Sequence, residues 1–207
     1  STDGGENFDN VGAKPTYGCG ANVTSSRLIT SFDVTYLDDH YLVVVGSSDS
    51  DTGDFGGAYI YDESKTFTPW ADLWVEEGAA TTKCDVLDVA FSPNFADDQQ
   101  IVALITDESN TRVTTKLGWS DWGASIGDAT LTGVVPTSGC LGFPLDYDVE
   151  VSNDKCYQYI GLNAGGASAV YMIAGDEAPN NSPIFPMFMP GPTKAVHSLV
   201  VAGEAFN

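Results

Sequence analysis

One short pattern recurs along this chain and limits what it can fold into: an apolar residue, Asp and Val, followed shortly by a β-branched or aromatic run. Phe32-Asp-Val-Thr-Tyr36 precedes Tyr41-Leu-Val-Val-Val45, and Leu87-Asp-Val-Ala-Phe91 precedes Ile101-Val-Ala-Leu-Ile105. Tyr147-Asp-Val-Glu-Val151 precedes Tyr157-Gln-Tyr-Ile160 as a third copy, and His197-Ser-Leu-Val-Val201 reads as the start of a fourth. Anchored at Asp33, Asp88, Asp148 and Ser198, the copies lie 88 − 33 = 55, 148 − 88 = 60 and 198 − 148 = 50 residues apart. A period of this size marks a repeat architecture in which each unit buries its faces against its neighbours.

Within each unit the first two strands form a hairpin across an Asp-rich turn: Leu37-Asp-Asp39, Phe95-Ala-Asp-Asp98 and Asn153-Asp154. A third strand follows (Gly57 to Asp62, Arg112 to Leu117, Ala167 to Ala174), then a polar turn and a weaker outer strand. No window sustains the apolar spacing of a helix, and Gly, Pro, Asn, Asp and Ser punctuate the chain throughout. The spacing predicts an all-β fold built as a β-propeller, with blades of about four antiparallel strands. The expected units are the end of one blade over 1–30, full blades over 31–84, 85–143 and 144–193, and the start of another over 194–207. Three blades and two partial ones do not close a ring in the usual way. The chain is therefore expected to be a piece of a larger propeller, or to pair its terminal parts with each other or with another chain. A β-sandwich with coincidental spacing is the competing fold.

Charge narrows the partners. Twenty-nine acids against eight bases leave a net charge of −21. Phosphate binding needs clustered Lys and Arg, so nucleic acid and anionic membranes are poor partners. Hard divalent cations, above all Ca²⁺, suit carboxylate oxygens better. No apolar run approaches the roughly 20 residues that span a bilayer as a helix. The cysteines Cys19, Cys84, Cys140 and Cys156 form no CxxC, which excludes zinc-ribbon and thioredoxin-like sites. Their even number is compatible with two disulfides, of which Cys140–Cys156 is the most local pairing. The sequons at Asn22 and Asn180 are candidate glycosylation sites. Together these features lead us to expect a secreted or cell-surface setting.

The first residues, Ser1-x-Asp3-x-Gly5-x-x-Phe8, resemble the Asp-box of BNR-type β-propellers, S-x-D-x-G-x-x-W/F. In that family the motif forms the turn between the third and fourth strands of a blade. Asp and Ser accept hydrogen bonds from turn amides, Gly permits positive φ, and the aromatic packs beneath. Trp119-Ser-Asp-Trp-Gly123 is a compressed echo and Ser64-Lys-Thr-Phe67 a fainter one. Asp88-Val-Ala-Phe-Ser-Pro-Asn-Phe-Ala-Asp-Asp98 looks like the first hairpin of blades in sortilin-like and bacterial cell-surface propellers.

The sialidase chemistry of some Asp-box proteins needs three arginines on the substrate carboxylate, and this chain has only Arg27 and Arg112. Propeller glycosidases use two carboxylates held roughly 6.5–9.5 Å apart in inverting enzymes. Asp33, Asp88 and Asp148 recur at one repeat position, which suits strand-edge or turn residues better than an acid/base pair. Trp70, Trp74, Trp119 and Trp122 are candidates for a carbohydrate platform or for packing between blades. His40 and His197 lack the partners of a zinc site or catalytic triad. The sharpest chemical feature is Asp49, Asp51 and Asp54 around Gly53, where closely spaced carboxylates can converge on one cation, although the Glu that closes an EF-hand is missing.

Two functions follow as expectations. The first is a non-enzymatic extracellular propeller with a structural or adhesive role in a surface assembly or layer, its partners being other protein chains, the remaining blades of a parent protein, or glycans. The second is a fragment of a secreted propeller glycoside hydrolase whose catalytic residues lie partly elsewhere. An intracellular assembly factor of the same fold is a third reading, which intact disulfides would count against.

Overall fold

The computed structural model describes residues 27–50, 53–66, 70–75, 83–123, 126–149, 156–175, 181–188 and 195–204. These residues form three separate four-stranded antiparallel sheets, each a meander in which consecutive strands are neighbours. The first holds β1 (Leu28–Leu37), β2 (His40–Ser48), β3 (Gly57–Asp62) and β4 (Trp70–Asp72). The second holds β5 (Asp85–Phe91), β6 (Gln100–Thr106), β7 (Asn110–Leu117) and β8 (Ala129–Thr132). The third holds β9 (Ser138–Gly142), β10 (Gln158–Asn163), β11 (Ala169–Ile173) and β12 (Ile184–Phe188).

The hairpin turns follow from their polar residues. Asp38 and Asp39 join β1 to β2 with φ of 48° and 64°, the left-handed pair that a two-residue turn needs to match strand twist. Tyr36 and Tyr41 face each other just behind it, ring centroids 5.0 Å apart. Between β5 and β6 the chain makes one helical turn, Phe95–Asp98, and Gln99 reverses it at φ 50°. Between β6 and β7 the Asp107 carboxylate accepts the amides of Ser109 at 3.0 Å and Asn110 at 2.7 Å.

The sheets stack face to face, and their order follows from burial. Leu42, Val44 and Ala58 of the first sheet share a core with Val86, Val89, Phe91, Ile101, Ala103 and Ile105 of the second. On its other side the second sheet packs Leu87, Val102, Leu104, Val113 and Ala129 against Ile160, Leu162, Ala169, Tyr171 and Ile173 of the third. Every residue of β6 is consequently buried, which explains its unbroken apolar run. Each buried Val, Leu or Ile contributes roughly 1.5–3 kcal/mol relative to exposure, so these two interfaces dominate the stability of the stack.

The third repeat begins elsewhere than the sequence pattern suggests. Tyr147, Asp148 and Val149 lie in a turn region rather than a strand, and the first strand of the third sheet is Ser138–Gly142. Its register pairs Leu141 with Ile160 and Cys140 with Gly161. The boundary between the second and third units therefore falls before Ser138, not after residue 143. The physical reason is packing. A side chain at Gly139 would collide with Leu104, and one at Gly142 with Val201, so this strand must be small where its rivals are branched.

Candidate functional site

The junctions between sheets are made by a repeated carboxylate bond. Asp33 on β1 accepts its neighbour Val34 N–H at 2.8 Å through Oδ1, and Phe91 N–H of the next sheet at 3.0 Å through Oδ2. Asp88 on β5 does the same one sheet on, accepting Val89 N–H at 2.9 Å and Leu141 N–H at 2.7 Å. The first junction carries two further bonds: Thr30 donates to the Val86 carbonyl at 2.6 Å, and Ser31 Oγ accepts Val89 N–H at 2.9 Å. Burial raises the Asp88 carboxyl above its ordinary value against the pull of these donors, and the nearby Asp33 charge raises it further.

This bond corrects the repeat. Phe91 and Leu141 are equivalent, so the residue matching Asp88 in the third sheet is Ser138 rather than Asp148. The anchors become Asp33, Asp88, Ser138 and Ser198, at spacings of 88 − 33 = 55, 138 − 88 = 50 and 198 − 138 = 60 residues. Asp33 and Asp88 act as junction clamps. Asp148 has a different role, its carbonyl accepting the Cys156 thiol at 3.2 Å.

The acidic loop after β2 meets the second sheet at the start of β5. Ser47 Oγ ties the loop base to Gly57 N–H at 3.1 Å. The buried Asp85 carboxylate accepts the amides of Asp49 at 2.8 Å and Gly56 at 2.9 Å. Glu108, in the β6–β7 turn, accepts Gly53 N–H at 3.2 Å. Gly56 admits no side chain, because a Cβ there would lie on the Ser47 carbonyl. Burial raises the Asp85 carboxyl, the Asp49 and Gly56 amides oppose this, and the Glu108 and Asp49 charges add to it. Of the candidate cation ligands Asp49 and Asp54 belong to this loop, while Asp51 lies outside the described residues. Among the described residues no three His, Cys, Asp or Glu side chains are placed to hold a metal ion. Asp85 and Glu108 were not legible as part of this loop, because nothing in the sequence relates them to it.

The remaining candidates separate. Trp122 is buried between the first two sheets and donates Nε1–H to the Leu73 carbonyl at 2.7 Å, while Trp70 packs on Tyr61 with centroids 5.3 Å apart. Trp74 and Trp119 are exposed, the latter at 96%. His40 pairs with Asp62 at 3.3 Å, and Arg112 is held by Asp107 at 3.3 Å. His197 is exposed on the 195–204 segment.

The expected Cys140–Cys156 disulfide is not made: Cys84, Cys140 and Cys156 are thiols. Cys140 sits opposite Gly161, five residues along the chain from Cys156. At roughly 3.3 Å per residue that is about 16 Å, well beyond the 7 Å a disulfide spans. Burial pushes the Cys140 thiol up, and the Cys156 thiol up to about 12, with the Asp148 and Asp98 charges adding to the latter. The Asp-box residues Ser1, Asp3, Gly5 and Phe8, the sequons at Asn22 and Asn180, and Cys19 lie outside the described residues. No described helix is long and apolar enough to cross a membrane. No family model, curated protein or solved structure matches the chain.

Proposed function

We propose that this chain is a segment of a BNR/Asp-box-type β-propeller acting as a non-enzymatic structural or adhesive module, secreted or displayed in a cell-surface assembly. The observation that carries the reading is the recurrence of one junction bond, Asp33 to Phe91 and then Asp88 to Leu141, between successive sheets stacked in one direction. Repeats that contact only their neighbours through a recurring junction are built to present surface, and the acidic exterior keeps such a surface soluble. Both repeated carboxylates are engaged by backbone amides of two sheets, an arrangement that serves rigidity rather than proton transfer. Other protein chains or glycans are the partners, and Ca²⁺ is the cation that the acidic loop would attract.

A glycan array combined with hydrolase assays on the native protein tests the reading. Binding without turnover is expected; turnover would replace it with the glycosidase reading. Melting with Ca²⁺ and with chelator tests the cation. Stabilisation by Ca²⁺ that Asp51→Asn blunts is expected, and indifference to Ca²⁺ would remove it from the account.

A further inference from the structure

The third sheet buries one face on the second sheet and carries a segment of its own chain on the other. Ile160 and Leu162 of β10, with Leu141 of β9, pack toward the second sheet. Side chains alternate along a strand, so the cross-strand pairs Gly161–Cys140 and Tyr159–Gly142 share the opposite face. Val170 and Met172 of β11 continue this face, being paired with Gly161 and Tyr159.

The 195–204 segment is seated there. A Cβ at Gly161 would lie 2.6 Å from Val196 Cγ1, and one at Gly142 would lie 2.8 Å from Val201 Cγ2 and 3.3 Å from Leu199 Cδ2. Three side chains of the segment thus fill the room that two glycines leave. Val196, Leu199 and Val201 are half-buried, whereas His197, Ser198 and Val200 between them are exposed. Among the described residues the segment joins no strand ladder, and its backbone tie is the Leu145 amide donating to the Gly203 carbonyl at 3.0 Å. It can leave without unpairing any strand of the sheet, and segments with so few buried contacts are the first part of a fold to open.

We propose that this glycine-lined face is a docking groove for an extended apolar segment, and that two copies of the chain exchange their 195–204 segments through it. The groove fits this segment, and a second copy carries the same one, so every contact made within a chain can be made between chains. Pro190, Gly191 and Pro192 precede the segment, and residues of these types favour a linker over a continued strand. Glu204 is the one acid of the segment, so its transfer adds little repulsion between chains of net charge −21. Mutual exchange closes on itself, giving a twofold dimer rather than a filament.

The proposal rests on the module reading and names its protein partner, but the two fail separately: turnover on a glycan overturns that reading alone, and a failed exchange leaves it standing. Two variants of the 207-residue chain test the exchange by complementation. Leu199→Asp spoils the segment and leaves the groove, whereas Gly161→Val blocks the groove and leaves the segment. Light scattering across concentration should show the parent forming dimers and each variant remaining monomeric. An equal mixture of the variants should form heterodimers, because one supplies the groove and the other the segment. A synthetic peptide of residues 195–204 decides the matter should Gly161→Val fail to fold. By calorimetry it should bind the Leu199→Asp chain one to one. It should bind the parent about tenfold or more weakly, since an occupied groove lowers apparent affinity by the fraction of time it stands empty. A parent that is monomeric at every concentration, a mixture of folded variants without heterodimer, a Leu199→Asp chain that dimerises like the parent, or a peptide that this chain does not bind would each overturn the proposal.

Discussion

Asp88→Ala removes the junction between the second and third sheets at one atom. The Leu141 amide, donating at 2.7 Å, loses its acceptor, whereas the Val89 amide keeps Ser31 Oγ at 2.9 Å. Loss of a hydrogen bond to a charged acceptor costs about 1.5–3 kcal/mol when the donor is left without a partner. Relief from holding a half-buried carboxylate offsets part of this, leaving about 2 kcal/mol. For a chain of this size that is roughly 4–8 °C in Tm. Asp88→Asn keeps one acceptor oxygen and should lose less than half as much. Asp33→Ala should behave similarly, with Phe91 as the affected amide. Thermal unfolding gives the magnitude, and hydrogen exchange at Leu141 gives the location. An Asp88→Ala chain that melts with the parent and protects Leu141 equally would refute the clamp.

Acidification should first stabilise and then destabilise the fold. Asp85 and Asp88 have raised carboxyls, so their ionised forms are penalised in the folded state and stability rises as pH falls from 7 through their folded values. Asp62 and Asp107 oppose this: burial raises both, but the hydrogen bonds of Ser64 and Lys65 on the first, and of Asn110 and Ser109 on the second, outweigh it and hold them low. Their contribution is present above 3.8 and is lost as pH falls below it. Urea denaturation across pH should show the maximum, and Asp85→Asn with Asp88→Asn should flatten its rising side; a steady fall from pH 7 would contradict the assignment. Gly161→Ala places a methyl against Val196 and the Cys140 thiol, so it should free the 195–204 segment to protease without melting the sheets, and unchanged cleavage would count against the contact. Cys140 and Cys156 should yield no mutual disulfide in a non-reducing peptide map, and Cys156 should resist thiol reagents until unfolding, because it is buried with its thiol pushed up to about 12.

Much of the strand content was legible because burial on both faces demands a continuous apolar run. Ile101–Ile105 could be little else, Tyr41–Val45 spells a strand in the same way although Tyr41 is exposed, and the left-handed Asp38–Asp39 turn is written in its residues. The third sheet misled because its first strand, Ser-Gly-Cys-Leu-Gly, owes its glycines to contact with Leu104 of the second sheet and with Val201 rather than to strand propensity. Tyr147-Asp-Val-Glu-Val151 meanwhile copies the repeat's spelling without its place. Spacings of 60 then 50 and of 50 then 60 are equally good repeats, so only the partner of Asp88 separates them. The recurring Asp reads from sequence as a strand-edge or turn residue, whereas Asp33 and Asp88 lie within β1 and β5, and their partners, amides 58 residues on for Asp33 and 53 for Asp88, leave no local trace. The acidic loop was visible as charge, but its anchorage on Asp85 and Glu108 was not, because it joins residues of different repeats.

The central claim is that successive sheets repeat one junction, and an experimental structure at atomic resolution tests it most directly. The account predicts β1, β5, β9 and the 195–201 segment as consecutive inner strands about one axis, with Asp33 on the Phe91 amide and Asp88 on the Leu141 amide. A sandwich lacking such an axis, or a third sheet led by Tyr147–Val151 in place of Ser138–Gly142, would contradict it.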